Sequence, residues 1–372
     1  TLDRSSAASD VYKRQPRNLK DVLQVLLLRL GQHFEFQSAQ RLAVGRLEEL
    51  CDQSNGLHWL MLIDKMDQSA ALLPSIWSLL RTSLFKEGQR LQVSLNASWW
   101  SGLKKAPAIN IRTMFEDCEH GSEMQCSTVL MNFYERVMKE LHVPEEFLIG
   151  ADNTPKETKN MIMIFFLIWM LCVFSDLPLW AITLLFLIVG HTHNKLDRFF
   201  SRVKVALAGR DYFTKAQLIE ILMKELKGFD FDISHLTHVW NWKACERVVG
   251  LPRMKHIHRV HAINIFRQNG CIYVKWKQYL TSESWSRPIL LLPPHLVQLL
   301  ATWRPDHLEQ AFKPRTVATS NSFLNKLEAL LADSPGSHHA EDIAHLRKIY
   351  ESNVDCLLYT SPSPRDATLS RM

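Results

Sequence analysis

The sequence predicts an α/β fold: a mixed five-stranded sheet flanked by helices, with a partial N-terminal helical region before it and a small β-rich C-terminal appendage behind it. Short apolar runs of strand length are interleaved with stretches of helical period. The central runs come in the order three strands, helix, strand, helix, strand, helix. With 47% apolar residues, the chain also carries ample material for a sizeable core.

Each element rests on a local pattern. Leu19 to Leu30 and Gln37 to Cys51 space their apolar residues as two helices. The run Leu57 to Ile63 reads as a strand ending at Asp64. Arg90 to Asn96 alternates apolar and polar residues as a second strand, and Ala108 to Phe115 supplies a third. Met124 to Leu141 is helical by period and is closed by Val143-Pro144. Glu146 to Ala151 forms a fourth strand reaching Asp152, Thr158 to Phe174 a helix, Leu179 to Val189 a fifth strand, and Lys195 to Leu207 a further helix. Ala262 to Phe266, Ile272 to Trp276 and Ile289 to Leu292 are the strands of the appendage, and residues 316 to 355 read as a polar loop with one or two exposed helices. The expected units are a helical region at 16–56, a main domain at 57–230, the appendage at 231–310 and the polar segment at 311–355.

Both ends are set apart. Residues 1–15, with Ser5-Ser6-Ala7-Ala8-Ser9-Asp10, and residues 356–372, with Cys356-Leu357-Leu358-Tyr359-Thr360-Ser361, resemble translated sequencing adaptors, which predicts a fragment of a longer protein. Without them the net charge of +6 falls to +4, a mild excess compatible with nucleic acid but not diagnostic of it. Cys51, Cys118, Cys126, Cys172, Cys245 and Cys271 form no C-x-x-C pair, so reduced thiols in an intracellular protein are expected and a structural zinc site is not supported. From Met161 to Val189 two apolar runs are broken by Ser175, Asp176 and Pro178. A membrane-spanning helix needs about 20 apolar residues, so these runs read as a buried helix and a buried strand, and no membrane is expected.

Two strands thus deliver metal-competent side chains at their C-terminal ends: Asp152-Asn153 after one, and Gly190-His191-Thr192-His193-Asn194-Lys195-Leu196-Asp197 after the other. With Asp64 after the first strand, carboxylates follow strand one and strand four and sit on the helix after strand five. This order resembles the ribonuclease H-like fold of retroviral integrases and DDE transposases. A closer resemblance, over roughly residues 57 to 300, lies in Asp152, Asn153, Lys156, Glu157, Lys159, Asn160, Gly190, His191, His193, Asp197, Phe199, Phe200 and Ser201. These residues resemble an uncharacterised transposase-related domain family of mobile elements, in which an aspartate-rich turn, here Asp64 to Asp67, follows the first strand.

Phosphodiester chemistry on two magnesium or manganese ions needs oxygen ligands from separate segments converging on metals about 3.5 to 4 Å apart. The resemblance implies that Asp64 bridges both ions, Asp152 holds the ion on the nucleophile side, and Asp197 the ion on the leaving-group side. Asp67 rivals Asp64, and Asn153, His191 and His193 are further candidates; each aspartate could instead be a cap. Leu196, Phe199, Phe200, Val203 and Leu207 share an apolar helix face, which turns Asp197 away from the core and leaves Arg198, Arg202 and Lys204 to meet phosphates or plain solvent. Gly-His-Thr-His also resembles the last metal motif of calcineurin-like metallophosphoesterases, but the upstream Asp-x-His and Gly-Asn-His are missing. Arg253 to Arg259 and Lys275-Trp276-Lys277 interleave basic and apolar residues, as either a nucleic-acid contact or a half-exposed β surface. The expected protein is a nuclear transposase- or integrase-like enzyme acting on DNA, able to form a homo-oligomer; the alternative is a domesticated or inactive relative that binds nucleic acid.

Overall fold

The computed structural model describes residues 19–66, 71–77, 90–115, 121–187, 195–236, 238–254, 257–304, 325–329 and 339–351. One mixed sheet of ten strands organises them, in the order β10-β9-β8-β6-β5-β1-β3-β4-β7 with β2 beside β3. The strands are β1 (His58–Lys65), β2 (Leu72–Leu73), β3 (Leu91–Ser101), β4 (Ile109–Phe115), β5 (Glu146–Asp152), β6 (Ala181–Leu187), β7 (Phe231–His235), β8 (Ala262–Gln268), β9 (Cys271–Lys277) and β10 (Ile289–Leu292). At the centre, β5 pairs parallel with both β1 and β6, whereas β1, β3 and β4 run antiparallel in succession.

The expected sheet of five strands is therefore too small. The three runs predicted as an appendage are strands, but they extend the main sheet: β8 pairs antiparallel with β6, then β9 with β8 and β10 with β9. At the other edge β7, which the sequence analysis did not mark, pairs parallel with β4. The second strand also runs on past Asn96 to Ser101, where Gly102 ends it. Gly102 has φ +87, and a Cβ there would stand 2.2 Å from the His58 carbonyl oxygen. Gly102→Ala is accordingly expected to cost about 3 kcal/mol or more, because strained backbone and overpacking combine. A melting temperature equal to that of the parent chain would contradict this packing.

The helices are α1 (Leu19–Gln53), α2 (Ser122–Glu140), α3 (Met161–Val173), α4 (Lys195–Leu207), α5 (Lys215–Glu225), α6 (Trp242–Val249), α7 (Pro294–Ala301) and α8 (His339–Glu351). The two N-terminal helices expected are one, α1, since Gly31 alone costs only about 1 kcal/mol and no proline interrupts the helix. On one sheet face Trp59, Met61, Ile63, Phe147 and Ile149 pack against α2, α3, α6 and α7. On the other, Leu60, Leu62, Leu148 and Leu185 pack against α4 and α5, joined by Cys51 from α1 and Ile343 from α8. The segment expected as exposed helix is thus partly anchored, with Leu327 and Ile343 buried.

Met163 through Cys172 of α3 are all buried, as a helix apolar on every side requires. Its 13 residues are about 20 Å long, short of the roughly 30 Å of a bilayer core. Among the described residues no helix is long and apolar enough to cross a membrane. Cys51, Cys126, Cys172, Cys245 and Cys271 are free thiols.

Candidate active site at the carboxyl ends of the parallel strands

Register places the first two carboxylates. β1 pairs with β5 as Leu60↔Leu148 and Leu62↔Gly150, and past that last pair the two strands run on to Asp64 and Asp152 on the same face. Neighbouring strands lie about 4.8 Å apart, and partners in register point to the same face. Gly150 allows the close fit, since a Cβ on it would meet Leu62 Cδ2 at 2.5 Å. That face is the one packed by α4, whose buried Leu196, Phe199, Phe200 and Val203 match the predicted stripe. Asp197 occupies the first turn of α4, and the helix start is held by Lys195, which lies 2.9 Å from Glu48 and 4.6 Å from the Trp99 ring centre.

The three aspartates are close enough to feel one another. Burial pushes the Asp64 carboxyl up to about 7; the Lys65 amide opposes this, and the charges of Asp197, Asp152 and Glu157 add to it. Asp152 is raised as well, by burial first, against the Asn153 amide and with the charge of Asp197. Half-buried Asp197 therefore bears on both strand-end carboxylates. Asp64 Oδ1 accepts from the Lys65 amide at 2.8 Å, and Asp152 Oδ1 from the Asn153 amide at 2.7 Å. In this arrangement no three His, Cys, Asp or Glu side chains among the described residues are grouped to hold a metal ion.

Beside the aspartates opens a cleft of about 290 Å³ lined by Asp64, Lys65, Gln125, Asp152, Thr154 and Glu157, among others. The turn after β5 shapes its wall. Thr158 Oγ1 donates to the Asp152 carbonyl, and the Lys159 amide donates to Thr154 O at 3.0 Å. Asn160 caps α3 by accepting from the Met163 amide at 3.1 Å, and its Nδ2 donates to Ser122 Oγ at 2.6 Å. Ser122 Oγ in turn donates to Lys156 O at 2.8 Å, so α2 clamps the turn. Lys159 lies 4.8 Å from the Phe186 ring centre, and burial lowers its ammonium to about 8.

Gln125 lines the cleft without any signal in the sequence, and Glu157 joins it there. Glu157 stood in the quoted signature, and only the folded turn brings it to the cleft. Asp67, His191 and His193 lie outside the described residues. Asn153 follows Asp152 at the rim and is half-buried; Arg198, Arg202 and Lys204 are exposed on α4.

Carboxylates from two strands and a helix, with Glu157 and Gln125 at the cleft wall, are oxygen donors of the type a hard divalent cation takes.

Fold and site together define a mixed α/β protein with clustered carboxylates at the carboxyl rim of its parallel strands. The chain belongs to the family of the domain of unknown function DUF7869, whose profile matches residues 88–282. No curated protein and no solved structure matches the chain.

Proposed function

We propose that this chain is a mobile-element enzyme of the transposase or integrase type, which cuts DNA and joins its strands by attack on phosphodiesters with magnesium or manganese bound. The observation that carries this reading is that Asp64, Asp152 and Asp197, from three distant segments, lie near enough for their charges to act on one another at one rim. The strand order β4-β3-β1-β5-β6, antiparallel among β4, β3 and β1 and parallel from β1 to β6, supports the ribonuclease H-like reading.

In such a site Asp64 and Asp152 would hold the divalent cations, and Asp197 would complete the ligand set. The bound ions would activate the attacking oxygen and neutralise charge on the phosphate. Burial has a role of its own: it keeps the carboxylates poorly solvated, so a cation is favoured strongly over water. Exposed Arg198, Arg202 and Lys204 on α4 contact the DNA backbone and set its position without reading its sequence. Such an enzyme works where chromosomal DNA is held, which makes the nucleus its proposed location.

The deciding assay is nicking of supercoiled plasmid by the purified chain with magnesium or manganese, against the same reaction in EDTA. Metal-dependent nicking supports the enzyme; DNA binding without it supports the second reading, an inactive nucleic-acid-binding relative. That second reading draws on the aspartates' present turn toward backbone amides.

A further inference from the structure

We propose that the sheet face beside the carboxylate cleft, centred on β9, is a track for single-stranded DNA. This rests on the reading of DNA as substrate, and it adds where an unpaired strand lies. β9 divides by alternation: Ile272 and Val274 are buried in the core, whereas Tyr273, Lys275 and Lys277 are half-exposed on the opposite face. Register brings that face into line with the carboxylates. Gly150 pairs with Leu185, Leu185 with Ala262 and Ala262 with Lys277, so Lys277 shares the row and face of Gly150, one pleat from Asp152; Leu185 and Ala262 between them are buried, so the open part of this face begins at β9. Three strand spacings separate β5 from β9, roughly 14 Å.

Rings accompany the cations along this face. Lys275 Nζ stands 5.1 Å from the centre of the buried Phe266 ring and 5.3 Å from that of half-buried Trp285, and Lys277 Nζ stands 5.1 Å from Trp285, so of these two rings only Trp285 is open to a base. Beyond the end of β9, Tyr279 is 39% exposed and stacks on His261, with ring centres 5.9 Å apart. Ammonium groups for phosphates, interleaved with ring faces for bases, are the combination that binds an unpaired strand. A duplex keeps its base faces stacked inside and offers the rings nothing to stack on.

The test is fluorescence anisotropy of labelled oligo(dT), with oligo(U) as a second arm, on the full chain in EDTA across a salt series. The parent slope of log affinity against log salt is expected to shrink by roughly 1.4 in the double variant Lys275→Gln/Lys277→Gln, about 0.7 per lost phosphate contact. Lys275→Arg/Lys277→Arg keeps the slope. Tyr279→Leu weakens binding about tenfold with the slope unchanged, and a melting temperature equal to the parent's separates lost base stacking from lost packing on Phe36 and His261. Slope and affinity equal to the parent in all three variants would overturn the track. Displacement of oligo(dT) by poly-glutamate at equal charge concentration would also overturn it, in favour of an acidic-peptide surface. Oligo(U) binding as tightly as oligo(dT) would overturn the assignment to DNA. Binding in EDTA is independent of catalysis, so loss of nicking with these results intact removes only the enzyme reading, and nicking with an unaltered salt slope removes only the track.

Discussion

Asp152→Asn is expected to lower metal-dependent nicking about a thousandfold, which corresponds to roughly 4 kcal/mol of lost transition-state stabilisation. The substitution keeps the shape of the side chain and its acceptor toward the Asn153 amide, so the fold around the β5 end is preserved. What it removes is one anionic group at a strand end on the face that Asp64 shares. DNA affinity is expected to stay within severalfold of the parent, because the exposed cations of α4 are untouched. Equal nicking rates for parent and variant would show that Asp152 plays no part in the chemistry.

Asp64→Asn should have the largest effect on stability, and its sign runs opposite to its effect on activity. In the metal-free protein the carboxyl is raised from 3.8 to about 7, by burial first and then by neighbouring negative charge. The native state therefore holds a proton that the unfolded chain has already released between these two values. Stability from this group is fully present below pH 3.8 and is lost as pH rises through about 7. At about 1.4 kcal/mol per pH unit the loss is on the order of 4 kcal/mol. Asparagine cannot ionise, so in EDTA the variant should match the parent near pH 4 and exceed it increasingly up to pH 7, with a constant gap above. Urea unfolding at pH 5, 6, 7 and 8 measures the gap directly. A gap that shrinks with rising pH would mean that Asp64 is held as a stabilised anion.

These two expectations express one physical trade. An acidic cluster that weakens the fold when ionised is repaid when a cation binds, since binding only the native state stabilises it by mass action.

Much of the site's framework was legible in sequence because it is local. The apolar run 57–63 ending at Asp64 and the run 146–151 ending at Asp152 each announce a strand with a polar tip. The stripe Leu196, Phe199, Phe200, Val203 fixed how α4 lies and hence where Asp197 emerges. The short apolar run Ala262 to Phe266 also revealed a strand. Its partner did not follow from the same residues, because whether β8 pairs with β6 or within a separate unit is decided by distant register. β7 escaped because Phe231–His235 is five residues long and half-exposed throughout. Glu157 remained hidden for a different reason: its place depends on the turn that Thr158, Asn160 and Ser122 hold together by hydrogen bonds.

The most direct measurement is manganese binding to the full chain at pH 8, followed by the loss of free-ion paramagnetic signal and repeated with Asp64→Asn/Asp152→Asn. The parent should bind manganese, with apparent affinity dropping toward tenfold for each pH unit below about 7 as protons compete for Asp64, and the double variant should bind at least a hundredfold more weakly. Equal binding by parent and double variant, or none by the parent at millimolar manganese, would contradict the claim that these carboxylates form a metal site.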